Sequence, residues 1–355
     1  MNGPLIVTEA RIRLAELIEK AEPAAPEFLA ISPWLAMSLL QKAIRRGEHL
    51  LAQRAAATLL QVAPEKLWRR LGTIAFEDVG VASFDVLFCV ACALGGKRLR
   101  SQWGGEWRTA STLVQLLCKA PKCRAADDLL IAAERHPRYR RARHELFGKP
   151  LQELIRIAAS RAQWPVRGVA AWYAVGTDRR PSSALEKRAG SPRALFDALT
   201  ELGYPHTVAA ISWEGFSKTG EVLCPFTAML SRDACTMTQE LRTDELPPEV
   251  SIRGVPGWAY DTYTREGRQA LRCFLETDAH AAKWVERNVP RERRVAFLGD
   301  VVFRIEGGLV KNRRLWPTGV LLRNMVDGEC YGPPEIFALV RLELPKLNEV
   351  RAHVC

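Results

Sequence analysis

The chain has no apolar run approaching the ~18–20 residues that a membrane-spanning helix requires. Its opening, MNGPLIVTEARIRLAELIEK, has no basic stretch leading into a long apolar core, which argues against a secretory signal peptide. Histidine is scarce, with six in 355 residues and none at ligand spacing, so an H-E-x-x-H zinc hydrolase is not expected. Also lacking are a G-x-x-x-x-G-K-[ST] loop to cradle phosphates and a G-x-S-x-G nucleophile elbow. The nine cysteines are odd in number and far apart, and they read as reduced thiols of a cytoplasmic protein rather than a disulfide framework. No internal repeat of fixed period is visible. What remains is ordinary in bulk: 48% apolar and 26% charged, the composition of a globular chain with about two domains at about 150 residues each.

The charge is not ordinary. The net of +11 is carried almost entirely by residues 135–193, which hold 14 basic and 4 acidic side chains. Residues 194–250 reverse sign, with 3 against 9. Such asymmetry suits a surface that meets phosphate, although a solvated, arginine-rich set of helices gives the same count. The densest element is His136-Pro137-Arg138-Tyr139-Arg140-Arg141-Ala142-Arg143-His144. In the nucleic-acid reading, Arg138, Arg140, Arg141 and Arg143 neutralise phosphates while Tyr139 stacks on a base. The alternative is a surface helix paired with Glu134 and Glu145. Arg265, Arg268 and Arg272 form a second basic stripe at i, i+3 and i+7, with Asp261 or Thr262 as cap. Arg287, Arg291, Arg293 and Arg294, and Lys311, Arg313 and Arg314, are further candidates for a phosphate-tracking surface.

Apolar periodicity predicts helix almost throughout, and the expected class is all-α: two helical lobes with at most a short strand pair near the C-terminus. Thr8 is expected to cap the first helix, Pro33 to open one closed by Gly47, and Pro64 another closed by Gly80. Ser83 caps an apolar helix to about Leu94. Glu106–Lys119, Pro121–Arg135, Pro192–Leu202, Thr207–Lys218, Pro225–Leu241, Arg265–Glu276 and Ala279–Asn288 follow. Only Val295–Ile305, with Val301, Phe303 and Ile305 alternating, reads as a strand. Gly168 to Pro192 reads as a mobile linker with a boundary near residue 180. The expected division is an N-terminal helix and Pro-rich connector over 1–32, a helical domain over 33–150, a basic helix and linker over 151–190, and a second helical domain over 191–355.

Three strings stand in order: Leu39-Leu40-Gln41-Lys42-Ala43-Ile44-Arg45-Arg46-Gly47; Trp68-Arg69-Arg70-Leu71 running into Ile74-Ala75-Phe76-Glu77-Asp78-Val79-Gly80; and Ala120-Pro121-Lys122. Together they resemble the collar, the helical region that follows the ATPase core in the RarA/MgsA (Werner-helicase-interacting) AAA+ proteins of replication-fork maintenance. The resemblance covers about residues 33–135. Only about 32 residues precede it, the nucleotide-binding motifs are missing, and Cys123-Arg124 stands where that family has Ser-Asn. The resemblance implies a scaffold that in that family supports oligomerisation and DNA transactions, here without the motor. Taken as residues alone, Gly80 suits a left-handed helix end, and Asp78 is expected to bond backbone or Arg69 and Arg70.

Cys89-x-x-Cys92 and Cys118-x4-Cys123 match zinc-ligand spacing on paper, but the first pair sits in an apolar helical run where core packing is expected. Asp127, Asp128 and Asp300 are the carboxylates an unrecognised nuclease or hydrolase would use. The expected function is a non-enzymatic DNA-binding or adaptor subunit in replication, recombination or mobile-element maintenance. It needs no cofactor, has nucleic acid as partner and forms a homo-oligomer in the manner of the collar. A docking module for an AAA+ or replication partner is the alternative.

Overall fold

Apolar side chains at helical spacing govern the architecture: in the computed structural model, which describes residues 3–354, 69% is helical, in twenty α-helices and seven short 3-10 or π segments. The protein is all-α. Element ends follow local chemistry. Ser32 accepts a bond from the Leu35 N–H and Pro33 opens the helix Pro33–Arg46, which Gly47 closes at φ 70°. The helices His49–Val62, Glu106–Lys119, Pro192–Glu201 and His206–Thr219 lie where periodicity places them.

Several expectations are corrected. The first helix is Gly3–Glu19, so Thr8 lies inside it, and Ser83 makes no side-chain cap on Phe84–Ala93. The helix after Ala120-Pro121 starts only at Ala125, because residues 121–124 run beside Asn312–Arg314: the Lys122 N–H donates to Asn312 O and the Arg314 N–H to Lys122 O. The helix in 225–241 is confined to Leu223–Leu230. Val295–Ile305 is not a strand but the helix Arg294–Val302 and a π turn, Phe303–Gly307. Its alternation also carries a 3.6-residue period, and Leu298, Val301, Val302 and Ile305, at i, i+3, i+4 and i+7, are the buried set. Two antiparallel two-residue strand pairs occur elsewhere, Leu241–Arg242 with Arg313–Arg314 and Ser251–Ile252 with Val255–Pro256.

The expected linker is not one. Gly168 to Val175 belongs to the helix Trp164–Val175, buried almost throughout. Residues 176–191 lack secondary structure but are tied down. The Thr177 hydroxyl bonds Glu186 O, the Ser182 hydroxyl and Ser183 N–H meet Glu134, and Arg188 donates to Phe147 O and Lys149 O.

The chain forms two compact units cut along other lines than the four expected segments. One gathers the residues up to Ala24, Trp68–Arg242 and Asn312–Cys330, and the other Ala25–Leu67, Thr243–Lys311 and the residues from Tyr331. The first carries 32 Lys+Arg against 23 Asp+Glu, a net of +9, and the second 19 against 17, a net of +2. The second unit's core joins Leu271, Phe274, Val285, Leu298, Val301, Ile336 and Leu347.

Candidate nucleic-acid interface

The basic run folds into a sharp corner. His136 ends the helix Ala125–Arg135, its Nδ1 accepts the Arg138 N–H at 3.3 Å, and Pro137–Tyr139 is a single 3-10 turn leading into the helix Arg140–Phe147. Tyr139, Arg143 and Leu146, at i, i+4 and i+7, form the buried face. Arg138, Arg140, Arg141 and His144 are exposed on the other.

This splits the predicted set. Tyr139 is 3% exposed, its ring 5.0 Å from that of His136, so it offers no platform for a base. Arg143 donates to Ala133 O and His136 O, both at 3.1 Å, and so caps the preceding helix. Its role is structural. Burial lowers the His136 pKa, while Glu329, 3.6 Å away, pushes it back up. Arg138, Arg140, Arg141 and His144 line an open cleft of 610 Å³ whose far wall includes Tyr173, Ala184 and Glu186. Arg141 pairs with Glu145 at 2.6 Å and His144 with Glu186 at 3.1 Å, all four well exposed. Such surface pairs are worth about 0–1 kcal/mol and exchange readily for a stronger anion. Among the described residues no carboxylate pairs with Arg138 or Arg140. The cleft's second wall, from Tyr173 and the 176–191 loop, has no signal in the sequence, because nothing local marks a Pro-Ser-Ser stretch as anchored.

Arg265, Arg268 and Arg272 lie exposed along the helix Arg265–Leu275, in the other compact unit. Thr264, rather than Asp261 or Thr262, caps it, accepting the Gly267 N–H at 2.9 Å. Asp261 instead receives the Lys42 ammonium at 2.5 Å, both side chains under 5% exposed. Burial lowers the Lys42 pKa and Asp261 works against that.

The three collar-like strings are structural here. Arg45 donates to Gly307 O at 2.7 Å and Arg46 to Glu306 O at 2.9 Å, each guanidinium over an aromatic ring, Phe303 and Trp258. In the first unit the second and third strings meet. Arg124, buried, binds Glu77 at 3.0 Å and also Asp78 and Asp127, while Asp78 O accepts the Cys123 N–H at 2.8 Å. Asp78 therefore finds Arg124, 46 residues on, a partner that its own helix does not supply. Gly80 has φ 47° with ψ −132°, outside the left-handed helical region, and a Cβ there would lie 3.0 Å from Cys123 O. Lys122 folds back from Pro121 to donate to Leu117 O, Cys118 O and Ala120 O, closing the helix Glu106–Lys119. Burial pulls its pKa down to about 8.

Cys89, Cys92, Cys118 and Cys123 are all buried, and burial pushes the Cys89 and Cys92 thiols up to about 11 and about 12. Among the described residues no three His, Cys, Asp or Glu side chains group to hold a metal, and no helix is long and apolar enough to cross a membrane. Compared with protein-family models, curated proteins and solved structures, the chain matches none.

Proposed function

We propose that this protein is a non-catalytic DNA-binding or adaptor subunit of replication, recombination or mobile-element maintenance, built on a collar-like scaffold and gripping the phosphate backbone with Arg138, Arg140 and Arg141. The observation that carries it is the exposed corner at 137–144, which gathers these arginines on one cleft of the unit holding most of the positive charge. Arginine suits this task, since its planar fork binds phosphate bidentately and keeps its charge at any working pH. Phosphate contacts fix position and do not read sequence, so the expected mode is affinity for strands of any composition.

The test is anisotropy with single-stranded, duplex and forked DNA across a salt series. Replacing Arg138, Arg140 and Arg141 by Ala should lower the magnitude of the log–log salt slope by about 2–3, at 0.7–0.9 per lost contact. An unchanged slope in a folded variant refutes the reading. A second reading, docking on a protein partner, draws on the exposed Trp34, Leu50 and Val62 of the helices Pro33–Arg46 and His49–Val62. It takes precedence if the wild-type protein binds no DNA at low salt.

A further inference from the structure

A second cleft, of 420 Å³, opens in the first unit between the helices Gly3–Glu19, Pro192–Glu201 and His206–Thr219. That volume lies in the range of about 300–1,000 Å³ typical of small-molecule sites. Its apolar wall is Phe196 and Trp213, ring centroids 5.6 Å apart with their planes 67° apart, and the Arg193 guanidinium lies 5.2 Å over the indole. Around this planar group stand two cations, two carboxylates and His206. Arg193 pairs with Asp197 at 3.0 Å, and Arg11 stands 3.8 Å from Glu214. The Arg11 Nε is buried without a hydrogen-bond partner.

These features constrain the ligand. The two arginines and two carboxylates balance, with His206 uncharged in its neutral form, so a bare phosphate or amine finds as much repulsion as attraction. An apolar ring fits the wall but leaves the ionic rim unused. A neutral, planar ring with donors and acceptors along its edge satisfies both, stacking on the Arg193–Trp213 surface while its edge meets carboxylate and guanidinium groups. The geometry points to a nucleobase site, filled either by a free nucleoside or by an unstacked base of a bound strand. It deepens the nucleic-acid reading, but it rests on different residues from the arginine corner.

The test titrates the full chain with guanosine, adenosine and cytidine, by calorimetry and tryptophan fluorescence, beside ribose 5-phosphate and inorganic phosphate. Nucleosides should bind and the base-free probes should not. Asp197→Asn and Glu214→Gln should each weaken the favoured nucleoside about tenfold, the scale of one lost edge pair. Because both positions are partly exposed, these variants should keep the wild-type circular dichroism. An oligonucleotide that displaces the nucleoside, where the same strand with abasic sites does not, identifies a strand base as occupant. Failure to displace identifies the free nucleoside, and either supports the site. No nucleoside binding at millimolar concentration, equal binding of ribose 5-phosphate, or affinities indifferent to both variants overturns it. Nucleoside affinity should also survive loss of Arg138, Arg140 and Arg141, so this proposal and the phosphate-binding reading fail separately.

Discussion

Replacing Arg124 by Met removes one buried cation from between three carboxylates and keeps most of the side chain's bulk. Arg124 is 2% exposed and Asp78 is fully buried, whereas Glu77 and Asp127 lie nearer the surface. The costs therefore differ. Stranding one member of a buried pair costs about 3–5 kcal/mol, and Asp78 is that member. Glu77 and Asp127 rehydrate, losing about 1 kcal/mol or less each as surface-type pairs. The expected loss is about 4 kcal/mol, roughly a thousandfold in the folding constant.

Urea unfolding of wild type and Arg124→Met measures the total, and hydrogen exchange localises it. The Cys123 N–H bonds Asp78 O, so protection of peptides covering 75–80 and 120–128 should fall first. A double-mutant cycle supplies the decisive arm. Asp78→Asn alone destabilises, but in the Arg124→Met background it should cost much less or restore stability, because the buried carboxylate has then lost this cation, giving a coupling of about 2 kcal/mol or more. A loss under about 1 kcal/mol for Arg124→Met, or additive effects in the cycle, would refute the claim that this cluster holds the two segments together.

The helices were legible because burial selects one face and repeats every 3.6 residues. That is why Glu106–Lys119 appears at its expected bounds. Leu298, Val301, Val302 and Ile305 show the limit: Val301 and Ile305 fit both periods, Phe303 fits only the alternating one, and the packed partners Leu271 and Leu347 decide for the helix. Long-range pairing was beyond reach for the same reason. Nothing near Asp78 in sequence announces Arg124, and nothing near Lys42 announces Asp261. The net charge misleads in a related way, because it counts arginines that work inward. Arg45, Arg46, Arg143 and Arg188 each donate to backbone carbonyls, and Arg124 is spent on carboxylates. The surface that phosphate can meet within 136–144 thus reduces to Arg138, Arg140 and Arg141, a subset that a residue count does not distinguish from Arg143.

Lys122→Met tests the buried ammonium through pH. With Lys122 near 8 in the folded chain and about 10.4 when unfolded, the unfolded state binds more protons between those values, so wild-type stability should rise with pH across that window and the variant's should not. A flat difference in urea midpoints from pH 8 to about 10.4 contradicts it. Gly80→Ala should cost about 2 kcal/mol, with Tm lower by roughly 4–8 °C, because the new Cβ would sit at φ 47° and 3.0 Å from Cys123 O; an unchanged Tm removes the steric argument. The corner itself gives the last contrast. Arg143→Ala strips the acceptors Ala133 O and His136 O of a charged donor and should cost about 2–3 kcal/mol, while each exposed change at Arg138, Arg140 or Arg141 stays within about 0.5 kcal/mol. Binding should separate in the opposite sense. Measured cold, where Arg143→Ala is still folded, its salt slope on DNA should equal wild type, and only the triple replacement should flatten it. An Arg143→Ala slope reduced by about 0.9 with no loss of stability would make Arg143 a phosphate contact and defeat the assignment drawn from its burial.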